Sequence, residues 1–398
     1  MFSKNLDMQS NYKPLGKYIK QVNTRNEGLS VSLLKGININ KEVMPSVANT
    51  NGTDLTKYKI VERGQFAYNP MHVGRDEVLP ISLLQADERV IVSPAYTVFE
   101  VIDEGELLPE YLMMWCRRSE FDRNVWFTTD NSVRGGFSWD SLCEMQLPVP
   151  HIDEQREIVK EYNIIVNHIK LNEQLIQKLE ETAQSIYKQW FVDFEFPDEN
   201  GQPYKSSGGE MLYNSELDKE IPKGWKACKW GKISSLEYGK GLRSYQNGKG
   251  GVPVYGTNGQ VGWTTRPLVD SEGIIIGRKG VYRGVHFSNL PFYVIDTAFF
   301  LLPKVELNLK WAYYEILHLN LDELESGSAI PSTSRDDFYD LISAVPSKEL
   351  QDSFAKVMTT LFSTKFLMEE QNNTLQNLSV LLLSKISKAA NVEKAEVL

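Results

Sequence analysis

Two stretches of this chain repeat one another at long range. Leu147-Pro148-Val149-Pro150 leads into Glu154-Gln155 and a run without Pro or Gly, and Ala344-Val345-Pro346 leads into Glu349, Gln351 and a second such run. Pro150 and Pro346 lie 196 residues apart in a chain of 398 residues. A repeat of this length is the size of a whole domain plus a helix, so it indicates a duplicated module rather than a solenoid unit.

Both runs carry the spacing of a coiled-coil helix. Seam positions recur at alternating intervals of four and three for more than four heptads, from about 153 to 191 and from about 348 to 386. The predicted seam includes Ile158, Ile165, Asn172 and Leu179 in the first helix, and Phe354, Leu361, Leu375 and Leu382 in the second. The same counting places Val357, Thr364, Gln371 and Leu378 on the second seam.

The order of the segments predicts how the helices pair. If the two helices pair antiparallel, each globular segment lies at the start of its own helix, at opposite ends of a shared rod with a pseudo-two-fold axis. A forty-residue helix spans roughly 60 Å, somewhat less than two turns of duplex DNA at about 34–36 Å each. We therefore expect the rod to act as a ruler, that is, to fix the distance between the two globular segments.

Polar residues interrupt both seams near their middles. Asn172 lies in the first seam, and Thr364 and Gln371 flank the middle of the second, so antiparallel pairing would bring them together. A polar seam residue lowers stability and fixes register. One interpretation is that this layer sets the register of the ruler, in which case Asn172→Leu should change the domain spacing. The other is a solvated gap with no such role.

These patterns predict an α+β protein built as globule, helix, globule, helix. The first segment mixes strand-like stretches at 58–62, 89–92 and 96–101 with a helix starting at Pro109. A Gly- and Ser-rich stretch from 196 to 209 is typical of a loop or short linker. The predicted boundaries are 1–150 for the first globular domain, 151–195 for the central helix, 196–346 for the linker and second globular domain, and 347–398 for the C-terminal helix and tail.

Composition places the chain among folded, multidomain proteins. Its 41% hydrophobic and 11% aromatic residues suffice for sizeable cores. The start is polar and the apolar runs are far shorter than a membrane span, which predicts a cytoplasmic protein with no membrane partner. Cys116, Cys143 and Cys228 have no C-x-x-C spacing, so they are expected to be ordinary thiols rather than a disulfide frame or a metal site.

Motifs for catalysis are missing from the sequence. It contains no phosphate-binding G-x-x-x-x-G-K-[ST] loop and no strand, G-x-G, helix unit for a dinucleotide or methyl-donor cofactor. Tyr68-Asn69-Pro70-Met71 resembles an amino-methyltransferase tetrapeptide only superficially, because a second Pro and a closing aromatic residue are missing. We therefore predict no catalytic residue, no metal ligand and no cofactor bound by this chain.

A local basic segment is the best candidate for binding. Although the net charge is −9, residues 240–283 contain seven Lys or Arg residues and only Asp270 and Glu272 as acids, interleaved with aromatic residues. Basic side chains attract phosphates, while Asn, Gln and Arg can read base edges. The predicted DNA-binding residues are Lys240, Arg243, Lys249, Asn258, Gln260, Arg278, Lys279 and Arg283, with Arg75 and Arg134 in the first segment. The alternative is an ordinary solvated basic face.

Several short motifs, in order and in duplicate, carry a resemblance to a known family. They include Gly64-Gln65-Phe66-Ala67-Tyr68-Asn69-Pro70, Gly135-Gly136-Phe137-Ser138-Trp139, Ile221-Pro222-Lys223-Gly224-Trp225, Val254-Tyr255-Gly256-Thr257-Asn258-Gly259, Ile276-Gly277-Arg278-Lys279-Gly280 and the stretch from Gly327 to Phe338. Over essentially its whole length the chain resembles the specificity subunit of type I restriction-modification systems. At the second junction the Glu-Gln pair of the first is interrupted, as Glu349-Leu350-Gln351.

The resemblance implies a non-catalytic DNA-recognition subunit of an adenine methyltransferase and restriction complex. Such a subunit reads a two-part, asymmetric sequence in double-stranded DNA, one part per target-recognition domain, and its antiparallel helices fix the spacing. The helices also bind two modification subunits, which hold S-adenosylmethionine. Two restriction subunits, which use ATP and Mg²⁺, can join the complex.

Two other functions stay open at this point. One is the recognition half of a bifunctional restriction-methylation enzyme that retains some catalysis, against which the missing cofactor and nuclease motifs count. The other is a coiled-coil scaffold whose globular segments bind proteins. Salt-sensitive binding to duplex DNA would separate the leading hypothesis from the scaffold, because contacts with phosphates make affinity fall steeply with salt.

Overall fold

The computed structural model describes residues 12–46, 52–71, 73–129, 136–246, 248, 250–280, 283–319, 321 and 332–389, without the side chains of 74, 75 and 387–389. The chain forms two compact units. The first comprises Met1–Asn172 and Gln371–Leu398, and the second comprises Glu173–Glu370. Each long helix therefore contributes a segment to each unit.

The globular part of the first unit is built on an antiparallel sheet. Its strands are β1 (Tyr12–Pro14), β2 (Ile19–Val22), β3 (Lys35–Ile37), β4 (Val43–Pro45), β5 (Lys59–Val61), β6 (Gln65–Tyr68), β7 (Ile81–Leu83), β8 (Val90–Val92), β9 (Thr97–Val101) and β10 (Gln146–Pro148). The central four-stranded sheet has the order β2-β9-β6-β7. The other strands form three two-stranded sheets, β1-β10, β3-β4 and β5-β8.

Short helices cover this sheet, and a long one leaves it. They are α1 (Val73–Asp76), α2 (Pro109–Cys116), α3 (Ser119–Thr128), α4 (Trp139–Glu144) and α5 (Ile152–Tyr187). Helix α2 begins with Pro109 in its first turn, where a missing N–H costs nothing. Helix α4 begins where the Ser138 hydroxyl accepts a hydrogen bond from the Ser141 N–H. A π-helical turn, Lys188–Val192, continues α5.

The second unit repeats this plan. Its strands are β11 (Met211–Asn214), β12 (Lys219–Pro222), β13 (Lys226–Lys229), β14 (Ser234–Tyr238), β15 (Val252–Gly256), β16 (Gly259–Thr264), β17 (Gly273–Gly277), β18 (Val285–Ser288), β19 (Tyr293–Val294), β20 (Ala298–Pro303) and β21 (Ile342–Val345). Its helices are α6 (Trp230–Ile233), α7 (Leu309–His318), α8 (Arg335–Asp340) and the start of α9 (Lys348–Ala389). The four-stranded sheet has the order β14-β20-β17-β18, which corresponds strand for strand to that of the first unit.

The expected linker is a packed loop. The Tyr204 N–H donates to the Phe196 carbonyl over 2.9 Å, and the rings of Phe196 and Tyr204 stack with centroids 4.6 Å apart. Phe196 also stacks on Trp225 at 5.7 Å. Aromatic stacking therefore holds this polar stretch against the second globular part.

A buried glutamine joins each globular part to its long helix. In the first unit the Gln155 Nε2 donates to the carbonyls of Glu106 and Pro150, and its Oε1 accepts from the Leu108 N–H. In the second unit Gln351 donates to the Pro346 carbonyl over 3.1 Å and accepts from the Asn308 N–H over 2.9 Å. The interrupted Glu-Gln pair thus keeps the glutamine that makes these bonds.

The helix segments run antiparallel within each unit. In the first unit Val159, near the start of α5, shares a core with Ile386, near the end of α9. In the second unit the ring of Phe191, at the end of the first helix, lies 5.0 Å from that of Phe354, near the start of α9. The predicted α+β class, with two globular parts each followed by a long helix, is confirmed. None of the helices within the described ranges is long and apolar enough to cross a membrane.

Candidate nucleic-acid interface

In the second unit several loops meet at one end of the central sheet. Tyr238, the last residue of β14, pairs with Phe299 of β20, and Gly277, the last residue of β17, pairs with Ala298. The loops that follow β14 and β17 therefore emerge beside the loop that precedes β20. This register places Lys240 and the pair Arg278-Lys279 at the same end of the sheet.

The turn between β15 and β16 packs against these loops. The Thr257 hydroxyl lies 2.8 Å from the Lys279 carbonyl and 2.6 Å from the Thr297 carbonyl, and it can donate to one of them at a time. Gly277 permits this close approach, because a Cβ there would lie 2.6 Å from the Thr257 carbonyl oxygen. The exposed side chain of Asn258, next to Thr257, is thereby brought to the same end of the sheet.

An exposed tyrosine holds two arginines at this end. The guanidinium carbon of Arg278 lies 4.8 Å from the centroid of the Tyr238 ring, and that of Arg335 lies 4.5 Å from it. Both distances fit cation–π contacts. The Tyr238 side chain is 44% exposed, so the cluster faces solvent. We call Tyr238, Lys240, Arg278, Lys279 and Arg335 the basic end.

The backbone links the segments that carry these side chains. The Thr333 N–H donates to the Arg278 carbonyl over 2.9 Å, and the Thr333 hydroxyl donates to the Gly277 carbonyl over 3.0 Å. Lys279 forms an isolated bridge with Ser332. The start of α8, and with it Arg335, is therefore fixed against the loop after β17.

The structure brings together some of the predicted DNA-binding residues and not others. Lys240, Asn258, Arg278 and Lys279 meet at the sheet end, while the exposed Arg243 and Gln260 lie on the adjoining loop and strand. Arg283 differs, because its side chain is buried, with 9% exposed, which does not fit a direct contact with DNA in this structure. Lys249 and Arg134 lie outside the described residues, as does the side chain of Arg75.

Sequence reasoning missed Tyr238 and Arg335. The basic segment was counted from residue 240 to residue 283, and Arg335 lies well beyond it. The repeat could have drawn attention to Arg335. Ser334 and Ser138 lie 196 residues apart, and each caps a short helix. Aligning the repeat on these serines places Arg335 at the position of Trp139.

Charge at the basic end is not balanced by ion pairs within the described part of the chain. Arg278 donates from Nη1 to the Asp296 backbone carbonyl over 3.1 Å rather than to a carboxylate. Lys240 and Lys279 are exposed, and the ion pairs among described residues do not involve them. Elsewhere in the second unit lysines do pair with carboxylates, for example Lys229 with Asp340 at 2.6 Å. The basic end is therefore available to an external anion.

The corresponding sheet end of the first unit is built differently. Tyr68, the last residue of β6, pairs with Thr97 of β9, and Asn69 follows it. The Phe137 N–H donates to the Pro70 carbonyl over 2.9 Å, in the way that Thr333 donates to Arg278. The Trp139 ring lies 5.6 Å from that of Phe99. A proline and a tryptophan thus stand where the second unit has Arg278 and Arg335.

The two long helices bury most of the predicted seam. In α5 Ile158, Ile165 and Leu179 are half-buried, and in α9 Phe354 is buried while Leu361, Leu375 and Leu382 are half-buried. The intervening positions of α9 were predicted one residue too early. Val357 and Leu378 are exposed, whereas Met358 and Asn372 are buried, so the second seam passes through the latter pair.

Asn172 is buried and joined to the other helix. Its Nδ2 donates to the Gln371 Oε1 and to the Asn372 Oδ1, both over 2.9 Å. Thr364 takes no part in this layer, since its hydroxyl donates to the Thr360 carbonyl of its own helix. The polar layer therefore consists of Asn172, Gln371 and Asn372, all in the first unit.

Metal ligands do not gather in the described ranges, where no three His, Cys, Asp or Glu side chains are placed to hold an ion.

Burial raises the pKa of the Cys116 thiol to about 12. Such a shift is typical of a structural thiol rather than of a nucleophile.

Comparison with known proteins shows which proteins this chain is similar to. Models of protein families gave no match. The chain is 30% identical over 139 residues to the type I restriction enzyme MjaIX specificity subunit of Methanocaldococcus jannaschii, and 26% identical over 160 residues to the HindI specificity subunit of Haemophilus influenzae. The chain resembles type I restriction enzyme specificity subunits. These matches cover 35% and 39% of the chain and only 30% and 34% of the respective relatives.

The likeness of fold to a specificity subunit extends over nearly the whole chain. The crystal structure of the S subunit of a type I restriction-modification system from M. genitalium superposes with a TM-score of 0.56, covering 97% of this chain and 98% of that one at 15% identity. At that identity the likeness concerns the fold alone. The resemblance drawn from the sequence motifs is thus confirmed.

Proposed function

We propose that this chain is the DNA sequence-specificity subunit of a type I restriction-modification complex. The observation that carries the proposal is the duplicated sheet, with the order β2-β9-β6-β7 in one unit and β14-β20-β17-β18 in the other, each followed by a long helix. Two recognition domains of one fold suit a target of two parts. The basic end supports DNA as the ligand, because unpaired cations on an exposed aromatic residue suit a phosphate backbone and base edges.

We further propose that the chain catalyses no reaction and positions enzymes that do. Two modification subunits would hold S-adenosylmethionine and methylate adenine, and two restriction subunits would use ATP and Mg²⁺. The complex would act in the cytoplasm. A repeated surface supports a partner that binds twice, since Leu171 and Leu367 lie 196 residues apart and are 57% and 67% exposed.

The surroundings of Leu367 suit a protein contact. An open groove of about 420 Å³ beside it is lined by Leu290, Phe362 and Phe366. Exposed apolar surface of this kind is typical of interaction sites. Leu367→Glu should therefore remove one of two bound modification subunits, and Leu171→Glu the other. A complex that keeps both copies in the double variant, measured by native mass spectrometry, would show that the partner binds elsewhere.

Co-expression with the modification subunit encoded beside this chain tests the main proposal. In a host without other methylation, mapping of modified adenines should give one two-part motif with a fixed spacer. The motif should be absent when either partner is omitted. A well-formed complex that methylates no DNA would contradict the proposed specificity role.

Salt dependence of DNA binding separates the proposal from a protein-binding scaffold. We expect the assembled complex to bind its target more tightly than the acidic chain alone, because partners would supply further phosphate contacts. The logarithm of affinity should fall linearly with the logarithm of salt concentration. Equal affinity of the chain alone, or binding that ignores salt, would argue against this arrangement.

A further inference from the structure

We propose that Arg278 and Arg335 read guanine bases in the half of the target recognised by the second unit, and that Tyr238 is the positioning residue that presents them. The inference rests on the proposed function and adds to it the residues and the base. It is carried by one cluster, in which two guanidinium groups share one exposed aromatic ring.

The geometry places both guanidinium groups within reach of one short stretch of DNA. Because each guanidinium carbon lies less than 5 Å from the same ring centroid, the two are less than 10 Å apart. Successive bases of a strand are separated by about 3.4 Å along the helix axis. The pair therefore spans at most about three base pairs.

The hydrogen bonds of Arg278 leave it able to read a base. Its Nη1 donates to the Asp296 carbonyl over 3.1 Å, which uses one of five N–H donors. The remaining donors suffice for the bidentate contact that arginine makes with O6 and N7 of guanine in the major groove. A lysine has the charge but not this planar fork.

The cluster is held in place before any ligand arrives. The Thr333 N–H bond to the Arg278 carbonyl fixes the two arginine-bearing segments to each other, and the Ser334 hydroxyl caps α8 by accepting from the Asp337 N–H. Two cations over one ring repel each other, and within the described part of the chain neither arginine forms an ion pair with a carboxylate. An anionic ligand with acceptor atoms would relieve this repulsion, while the ring keeps both side chains from collapsing onto the protein.

The test uses the assembled complex of full-length chain and modification subunit. Arg278→Lys and Arg335→Lys keep the charge and remove the fork. Each should relax the methylated motif at one guanine position in one half-site, leave the other half-site unchanged, and lower affinity for the original target about ten- to hundredfold. Arg266→Ala, which removes an exposed cation outside the basic end, is the matched control and should leave the motif unchanged.

Substitutions of Tyr238 test the positioning role. Tyr238→Leu removes the ring and should relax both guanine positions together, whereas Tyr238→Phe keeps the ring and should keep the motif. Lysine variants with the original motif and affinity would overturn the proposal by showing phosphate contact alone. Tyr238→Leu without effect would overturn the positioning role. If the wild-type complex gives no motif, the proposed function has failed, whereas a wild-type motif untouched by these variants refutes only this inference.

Discussion

The two halves of the repeat share their framework and differ at the end of the sheet. Both have a four-stranded sheet of corresponding order, and both use a buried glutamine, Gln155 or Gln351, to join the globular part to its helix. At the sheet end, Trp139 of the first half corresponds to Arg335 of the second. The retained residues bind backbone groups inside the protein, and the exchanged ones lie where a ligand can reach, so duplication has preserved attachment and changed the surface.

Outside the shared framework, the first half has a buried ion pair whose loss should destabilise that half alone. Lys41, in the turn between β3 and β4, lies 2.7 Å from Asp122 of α3, with side chains 5% and 15% exposed. Burial lowers the pKa of Lys41 and raises that of Asp122. Asp122→Ala would leave the buried Lys41 ammonium group with the Cys116 carbonyl as acceptor but without a carboxylate to balance its charge. We therefore expect a loss of about 3–5 kcal/mol in the free energy of unfolding.

Chemical unfolding with hydrogen exchange should locate that loss in the first unit. Asp87→Ala, which removes an exposed partner of Arg63, is the control and should change stability little. The double variant Lys41→Met/Asp122→Leu should recover much of the loss, because it leaves no buried charge. A small effect of Asp122→Ala would mean that the β3-β4 turn is held mainly by other contacts.

Replacement of Gln155 or of Gln351 should give the next largest effect, and it tests whether the two halves are equivalent. Gln155→Leu and Gln351→Leu would each leave buried backbone groups without partners, at a cost of about 1–3 kcal/mol in the free energy of unfolding. Hydrogen exchange should show faster opening at Leu108 in one variant and at Asn308 in the other. The exposed Gln174→Leu should do neither. A large loss in one half with none in the other would show that the glutamines are not equivalent.

Much of the fold could be predicted from periodicity and turn chemistry, because these act over a few residues. Both long helices and the α2 helix at Pro109 were found this way. The second seam was partly misplaced because Phe354-Ala355 and Leu382-Leu383 are apolar pairs that satisfy two registers. Packing against the second globular part decides between them, since it buries Met358.

The candidate site was less predictable than the fold. Tyr238, Arg278 and Arg335 meet only because β14 and β17 finish at the same end of the sheet and the Thr333 N–H donates a hydrogen bond to the Arg278 carbonyl. Local patterns carry no information on such long-range contacts. Arg283 shows the converse, since a basic residue in a basic segment is buried once the chain folds.

A buried carboxyl group in the second half gives an effect confined to part of the pH range. Glu315 of α7 corresponds to Trp115 of α2 when the helices are aligned on Asn308 and Leu108. Burial raises the pKa of Glu315, to which the Tyr187 hydroxyl donates a hydrogen bond. Since the folded state then binds a proton more tightly than the unfolded state, this group lowers stability as pH rises from about 4.5 through the raised pKa.

Glu315→Gln should abolish that contribution, because an amide does not titrate in this pH range, and its oxygen can still accept the hydrogen bond from Tyr187. The variant should therefore gain stability relative to the wild type as the pH rises above about 4.5, measured by chemical unfolding at a series of pH values. The exposed Glu306→Gln is the control and should follow the wild type. Parallel curves for wild type and Glu315→Gln would show that the Glu315 carboxyl does not change its protonation on folding.

Substitution in the polar layer of the helices is expected to alter specificity more than stability. Asn172 and Asn372 of the first unit correspond, 196 residues away, to Met368 and Ile176 of the second, so one half of the repeat has a polar layer where the other is apolar. Asn172→Leu loses two hydrogen bonds of 2.9 Å and leaves the buried Asn372 oxygen without that donor, at a cost of about 1–3 kcal/mol. The leucine gains apolar burial that offsets this cost, so the net effect on unfolding should be small. If the layer fixes the helix register, the proposed complex assembled with this variant should methylate two-part motifs with more than one spacer length. Met368→Leu should keep a single spacer, and a single spacer in both variants would mean that packing of the apolar seam alone sets the spacer length.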